Sequence, residues 1–402
     1  MDFTVDAVTE QLRATLLEFM EEQVYPAEAV YHGQLAERDE PWSPPPIVGQ
    51  LRVEARKRRL WNLFLPGVHG AGLTNLQYAP LAEISGRSPF LAPYAMNCAA
   101  PDTGNMELLA EFGSEQQRTA WLRPLLDGEI RSAFAMTEPD VASSDATNVE
   151  TRIVRDGEHY LVNGRKWFIT GAMDPNCEIL VVMGKTDPAA ARHRQQSMIL
   201  VPRATPGVHI VRAMHTFGYD DSGHGGHAEI TFNDVRVPVG NLIGGEGDGF
   251  AIAQGRLGPG RIHHCMRAIG MAERALELAG RRAVQRVAFG RPLAEQGVVR
   301  EWMAESRVHL EALRLLVLKT AWLMDTVGNK GAHTEIQAIK IGVPRTVEQI
   351  IDRAMQLHGA AGLSQDFPLA QLWAGVRSLR IADGPDEVHK QSLGRAELKK
   401  YT

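Results

Sequence analysis

Cysteine is scarce, with three residues in 402, at Cys98, Cys177 and Cys265. Their wide spacing and odd number exclude a disulfide framework, and buried free thiols in a reducing compartment are expected instead. An excess of cationic charge is missing as well. Lys and Arg total 43 against 48 Asp and Glu, for a net charge of −5, which removes any global pull toward nucleic acid or an anionic membrane surface. No apolar run approaches the ~20 residues that a membrane span needs. The first residues are acidic and hold no apolar signal core, so nothing points to export and a cytoplasmic location is expected if the source is bacterial. What remains is ordinary for a globular protein, 44% hydrophobic and 23% charged, in a chain too long for one typical core.

The hydrophobic period changes twice along the chain. Residues 4–23 carry Val8, Leu12, Leu16, Phe19 and Met20 at helical spacing, and Pro26 ends or kinks that helix. Leu51 to Leu60 reads as a basic helix with a solvated face, and Leu76 to Ser85 and Gly104 to Phe112 also read as helices. Phe112-Gly113-Ser114, followed by Glu115-Gln116-Gln117, reads as a helix stop and then an N-cap. From Ser132 to about Gly240 the period is two. Ser132 to Gly171 reads as a strand, a loop rich in hydroxyl groups, and an antiparallel meander with turns at Asp156-Gly157 and Asn163-Gly164. Further strands are expected at Ile179–Met183, Ser197–Val201, Val208–Val211 and Ala228–Val235. Gly218 to Gly226 reads as a mobile loop, and the nearby His215, His224 and His227 match no common zinc spacing, so no metal site is expected. Long helical patterns return at Ala251–Phe289, Val298–Val327, Glu335–His358 and Leu369–Ile381. The expected fold is therefore α+β in three parts: an N-terminal helical domain (1–130), a middle antiparallel β domain (131–242) and a C-terminal four-helix bundle (243–402).

Two stretches carry chemistry. Aromatics and threonines at both ends of the meander, with serines between, suit a flat cofactor with polar edges. Near the C-terminus, Leu379 to His389 reads as a helix end, a turn forced by Gly384-Pro385, and a new helix from Asp386. Asp386 and Glu387 suit a helix start, whereas Asp383 is projected by irregular backbone. Gly258-Pro259-Gly260 inside a helix costs about 1 kcal/mol per glycine and about 3 kcal/mol for proline, so a deliberate kink is expected there.

Phe134-Ala-Met136-Thr137-Glu-Pro139, then Ser-Asp, then Trp167-Phe168-Ile-Thr170, resembles the flavin-binding signature of the acyl-CoA dehydrogenases. The resemblance extends over essentially the whole chain. It implies FAD held by Phe134, Met136, Thr137, Ser143, Trp167, Phe168 and Thr170, with Thr137 on the pyrimidine edge and Thr170 near the reactive ring nitrogen. It places Ser144 near phosphate and thioester, and the helix with Gly104 and Asn105 along the acyl pocket. The corner of that family usually reads Tyr-Glu-Gly-Thr, and aligning the glycines puts Asp383 on the catalytic base and Ala382 on the tyrosine. A second branch carries its glutamate where this chain has Gly260. The run Asp383-Gly-Pro-Asp-Glu-Val-His389 resembles the subgroup fused to kinase-like domains in animals. The same resemblance implies Gly384 and Arg261 on the substrate and Pro385 and Glu387 on the cofactor.

Arg286-Val-Ala-Phe289-Gly and Gln356-Leu-His-Gly359 resemble family motifs that reach the FAD of a neighbouring subunit. They imply a homodimer or homotetramer with FAD shared at the interface. The implied reaction is α,β-dehydrogenation of an acyl-CoA thioester to a trans-2-enoyl-CoA, as in fatty acid β-oxidation, with electrons passed to an electron-transfer flavoprotein. Ala382 in place of a tyrosine implies room for long or substituted acyl chains. Two alternatives compete: a flavin oxidase or monooxygenase on the same fold, and a non-catalytic DNA-associated relative. The second needs a basic stripe, and here Arg300, Arg307 and Arg314 alternate with Glu301, Glu305 and Glu311.

Overall fold

A computed structural model describes residues 6–402. Positions 4 and 5 of the expected first helix lie outside the described residues. The chain forms two compact units. One holds residues up to 25 together with 73–93 and 258–402; the other holds 26–72 and 94–257.

The second unit is built on an eight-stranded sheet. Its strands are β1 (Arg131–Ala135), β2 (Arg152–Asp156), β3 (His159–Thr170), β4 (Cys177–Lys185), β5 (Gln196–Pro202), β6 (Val208–Met214), β7 (His227–Pro238) and β8 (Leu242–Ile243). The order is β6-β7-β3-β2-β4-β5-β8, with β1 alongside β4. The sheet is not wholly antiparallel, because β1 runs parallel to β4 with Phe134 opposite Val181. Alternate residues supply the core, among them Ile153, Val162, Leu180, Val182, Ile199, Ile230 and Phe232. Asp156-Gly157 does turn the chain, with Gly157 at φ +57° and Asp156 paired to His159. Asn163-Gly164 does not: β3 runs straight through it with an irregular register. The glycine serves close approach there, since a Cβ at Gly164 would strike the Thr151 hydroxyl. The two meander strands expected on either side of it are therefore one, while the four strands expected beyond the meander all form, none shorter than its apolar run.

Helices in this unit include α2 (Tyr25–Glu37, from Pro26 onward), α3 (Pro46–Lys57) and α5 (Asp102–Phe112). A π-helical turn, Met20–Val24, stands just before Pro26 and separates α1 (Ala7–Phe19) from α2. Beyond α5, Ser114 caps the next turn in a box with Gln117, as its sequence predicts.

The helical unit contains α1, α4 (Asn75–Gly86), the part of α6 (Gly249–Gln285) from Gly258 onward, α7 (Gly297–Gly331), α8 (His333–His358), α9 (Leu369–Ser378) and α10 (Asp386–Leu398). α8 buries Ile336, Ile339, Val343, Val347, Ile350 and Ala354 at helical spacing. Gly86 lets α4 and α6 touch, for a Cβ there would strike the Arg267 backbone. Asp325 of α7 caps α4, its carboxylate accepting the Asn75 and Leu76 N–H groups at 2.9 Å each. Two expected ends differ. α6 stops at Gln285, and Phe289 sits instead in a hairpin turn between β9 (Val287–Ala288) and β10 (Arg291–Pro292). α9 stops at Ser378 rather than at Ile381, and α10 is the new helix expected from Asp386, packed beside the four long ones. No helix among the described residues is long and apolar enough to cross a membrane.

Arginines of this unit are matched by acids. Arg314 pairs with Glu83 at 2.9 Å and with Glu273 at 2.5 Å, and Arg307 pairs with Glu273 at 2.7 Å and Glu311 at 3.0 Å. Arg307 and Arg314 of the alternating pattern are thus held by acids, which counts against the basic stripe of the DNA-associated alternative.

Candidate functional site

The C-terminal corner sets Asp383 between α9 and α10. Asp383 lies in the left-handed region at φ +56°, and Gly384 follows at φ +104°. A non-glycine residue in that region costs of order 1–2 kcal/mol, a strain that must be held in place by its surroundings. Four contacts hold it. Arg261 Nε donates to the Asp383 carbonyl at 3.0 Å. Lys340, wholly buried, donates from Nζ to Leu379 O, with Gly384 O at 3.5 Å. His389 Nε2 lies 3.0 Å from Gly384 O, with Nδ1 against the Gln337 side-chain amide. Arg380 Nε reaches the buried Asp386 carboxylate at 2.9 Å. Burial, then the cations Arg261 and Lys340, pull the His389 imidazole down to about 4.

The Asp383 carboxylate points at α6. A Cβ on Gly260 would lie 3.4 Å from Asp383 Oδ2. The two positions that the sequence offers for a base, Gly260 and Asp383, thus converge on one spot. Arg261 is half-buried beside them rather than on an open helix face. Gly258-Pro259-Gly260 stays helical, and at Gly260 the missing side chain leaves room for the carboxylate. Ala382 and Glu387 are exposed, and Glu387 pairs with Lys390 at 3.2 Å. Pro385 occupies the N-cap position, so Asp386 is the first residue of α10 rather than its cap.

In the sheet unit, Thr137 and Trp167 lock the ends of the hydroxyl loop and β3. Thr137 Oγ1 donates to Trp167 O at 2.6 Å, and Trp167 N donates to Thr137 O at 3.0 Å. Having given its proton away, Thr137 Oγ1 faces any ligand as an acceptor. Phe168 is 46% exposed at φ +50°, its ring edge-on to Trp167 at 5.0 Å. Thr170 Oγ1 lies 3.0 Å from His227 Nδ1, and His227 Nε2 lies 2.8 Å from Asp221 Oδ2. These last contacts, with the short helical turn Ser222–His224 and the stacking of half-buried His224 on Tyr94 at 4.3 Å, anchor the loop that the sequence places at Gly218 to Gly226. Ser143 Oγ accepts the Glu138 N–H at 2.8 Å, so it braces the loop, while Ser144 is exposed. Beneath lies a buried pair: Lys166 Nζ meets Glu138 Oε1 at 2.8 Å and the carbonyls of Met136 at 2.8 Å and Met183 at 2.7 Å. Burial pulls the Lys166 ammonium down to about 8. Against burial, Lys166 and the Thr151 and Glu150 donors hold the Glu138 carboxyl below its usual range. Open aromatic rings beside a hydroxyl acceptor and backbone edges fit a flavin.

One network escaped sequence reasoning. Arg256 is buried, with Cζ 3.9 Å over the Phe134 ring and Nε 3.0 Å from Asn105 Oδ1. Asn105 Nδ2 continues to Ser132 Oγ at 2.9 Å, Ser132 Oγ to Asp102 at 2.6 Å, and Asp102 to Arg131 at 2.5 Å. The sequence marks only the Gly104-Asn105 helix, because Arg256 is distant from it and lies in an otherwise helical pattern.

Back in the helical unit, Phe289 is 100% exposed, at φ +54° beside Gly290 at φ +79°, with Arg286 exposed next to it. Gln356 and Gly359 (φ +63°) lie exposed at the C-terminal end of α8.

Family models for acyl-CoA dehydrogenase match along the chain: the N-terminal domain over residues 7–129, the middle domain over 133–235 and the C-terminal domain over 247–398. The Mycobacterium tuberculosis protein named "Probable acyl-CoA dehydrogenase FadE2" is 58% identical over 401 residues, covering 100% of this chain and 98% of that protein. The Gallus gallus "Acyl-CoA dehydrogenase family member 11" is 54% identical over 385 residues, covering 95% of this chain but 49% of that protein. The chain thus spans nearly all of the mycobacterial relative and about half of the animal one. A solved structure from Mycobacterium abscessus, assigned to the acyl-CoA dehydrogenases, superposes with a TM-score of 0.96 at 50% identity, covering 100% of both chains.

Proposed function

The chain belongs to the acyl-CoA dehydrogenase family of FAD-dependent oxidoreductases, and on that premise we propose that it dehydrogenates an acyl-CoA thioester to a trans-2-enoyl-CoA with Asp383 as the base. The observation that carries this reading is the Asp383 carboxylate held over Gly260 on a strained, four-point-anchored corner. FAD held there would supply the acceptor for the hydride that leaves the β-carbon. Asp383 takes the α-proton, a step for which a positioned base contributes about 10²–10⁴-fold. A backbone N–H at the base serves as donor for the thioester oxygen as it gathers charge, with Gly384 beside it on the substrate. Thr137, Trp167, Phe168 and Thr170 hold the ring, with Phe134, Met136 and Ser143 supporting that face. Ser144 and Arg261 act on the CoA side, and Pro385 and Glu387 close the cofactor edge.

The three-part division at about 130 and 242 is part of the same reading. So is assembly as a dimer or tetramer, in which Arg286, Phe289, Gln356 and Gly359 reach a neighbouring subunit's FAD. Electrons pass to an electron-transfer flavoprotein. The small Ala382 leaves room for long or substituted acyl chains, so activity is expected to fall, not peak, at butyryl-CoA.

The test is an anaerobic titration of the yellow holoenzyme with acyl-CoAs of increasing length. Bleaching in the native protein, and its loss in Asp383→Asn with FAD retained, is expected. Equal bleaching in both proteins removes Asp383 as the base.

A further inference from the structure

α6 presents a second group to the corner one turn after Gly260. His264 Nε2 lies 3.5 Å from Asp383 Oδ2, and both side chains are about four-fifths buried, at 21% and 18% exposure. On the other side of the ring, His264 Nδ1 lies 3.3 Å from Arg267 Nη2. A guanidinium carries donors and no acceptor. Nδ1 must therefore accept, and the proton of the neutral ring sits on Nε2, facing the carboxylate. A second proton on Nδ1 would be set against a permanent positive charge.

We propose that His264 is a positioning residue for the Asp383 base, a neutral imidazole locked by Arg267 with its Nε2–H toward the carboxylate. The inference rests on the reading of Asp383 as the base. Asp is one methylene shorter than the glutamate usual in this family, so its carboxylate has less reach to spare. A donor fixed on α6 sets the rotation of that carboxylate and favours its charged form. The separation of 3.5 Å is long for a hydrogen bond, and such contacts tighten when substrate is bound.

Other groups facing the pair leave the neutral range to it. Arg261, His263 and Cys265 lie on α6, Lys340 on α8, Asp386 and His389 on α10, and Arg380 on the corner, and burial first, then Arg267, holds the His263 imidazole well below its usual range. Burial pushes the Cys265 thiol up to about 12, and His389 is pulled down to about 4. Neither changes charge between about pH 5.5 and 8.5, where the ordinary histidine does.

The experiment has two arms on FAD-loaded enzyme. In the first, ¹⁵N-histidine spectra identify the His264 ring by its absence in His264→Gln. The Nε2–H pattern is expected in the native protein at neutral pH, and Arg267→Met is expected to mix it with the Nδ1–H tautomer. An Nδ1–H pattern, or a doubly protonated ring, in the native protein at neutral pH overturns the proposal. In the second, anaerobic flavin reduction by dodecanoyl-CoA is followed against pH. His264→Gln is expected to lower the limiting rate about tenfold with little change in half-saturation, and to move the acid limb upward by about half a pH unit. An unchanged limb and rate overturn it. Asp383→Asn, run alongside, separates the two ideas: undiminished reduction there sinks the base assignment, while the ring spectra still judge the Arg267–His264 lock.

Discussion

Gly260 and Asp383 lie far apart in the sequence, yet a methyl group added to Gly260 would lie 3.4 Å from Asp383 Oδ2. The glycine is the counterpart of the aspartate: one omits a side chain where the other delivers a carboxylate. This makes the base transplantable. Asp383→Ala is expected to lose about 10²–10⁴ in flavin reduction rate. Adding Gly260→Glu to that variant is expected to restore at least about tenfold, within the same range. Stopped-flow reduction by acyl-CoA measures both. Failure of the double variant to gain over Asp383→Ala, with FAD content and fold intact, argues that the two positions do not serve one spot.

The Lys166–Glu138 pair fixes the ends of the hydroxyl loop from below. Glu138→Gln leaves a buried ammonium without its counter-ion, and a loss of about 3–5 kcal/mol is expected. Urea unfolding measures it. Lys166→Met added to Glu138→Gln is expected to recover part of that loss, because no charge is then stranded.

Acid lowers stability through the buried histidines. Burial first, and nearby arginine or lysine charge in addition, pull His389 and His224 from the usual 6.5 to about 4. Between these values the unfolded chain binds protons that the folded chain refuses. Stability is therefore full above about pH 6.5 and declines as pH falls toward about 4, by up to about 3 kcal/mol per ring. The urea midpoint is expected to drop between pH 7 and pH 5, and to drop less in His389→Gln. A flat midpoint across that range contradicts the buried neutral rings.

A fully exposed phenylalanine at a tight turn is costly to leave in water. Phe289→Ala and Arg286→Glu are expected to lower FAD retention and shift the protein toward smaller species on gel filtration, with helix content unchanged. Native FAD stoichiometry and size in both variants would free this hairpin from any role between subunits.

Much of the fold was legible because apolar spacing reports burial locally. α8 and β4 to β7 stand where their periods put them. Turns were harder: Gly157 and Gly164 follow similar dipeptides, but only Gly157 takes a positive φ, while Gly164 makes way for Thr151. The helix pattern through Val287 and Phe289 misled, because the apolar residues there are exposed rather than buried. Of the candidate site, Asp383 was marked by the Gly-Pro break that follows it. Arg256, Lys340 and His264 carried no mark, since a cation or imidazole within a helical period gains its meaning only from partners such as Asn105, Gly384 O and Asp383.

The claim on which the rest depends is proton removal by Asp383, and isotope exchange isolates that step from hydride loss. Enzyme whose flavin is already reduced is incubated with an acyl-CoA in D₂O, and deuterium at the α-carbon is followed by mass spectrometry. The account predicts steady incorporation with the native protein and essentially none with Asp383→Asn retaining its FAD. Incorporation by Asp383→Asn at the native rate would contradict it.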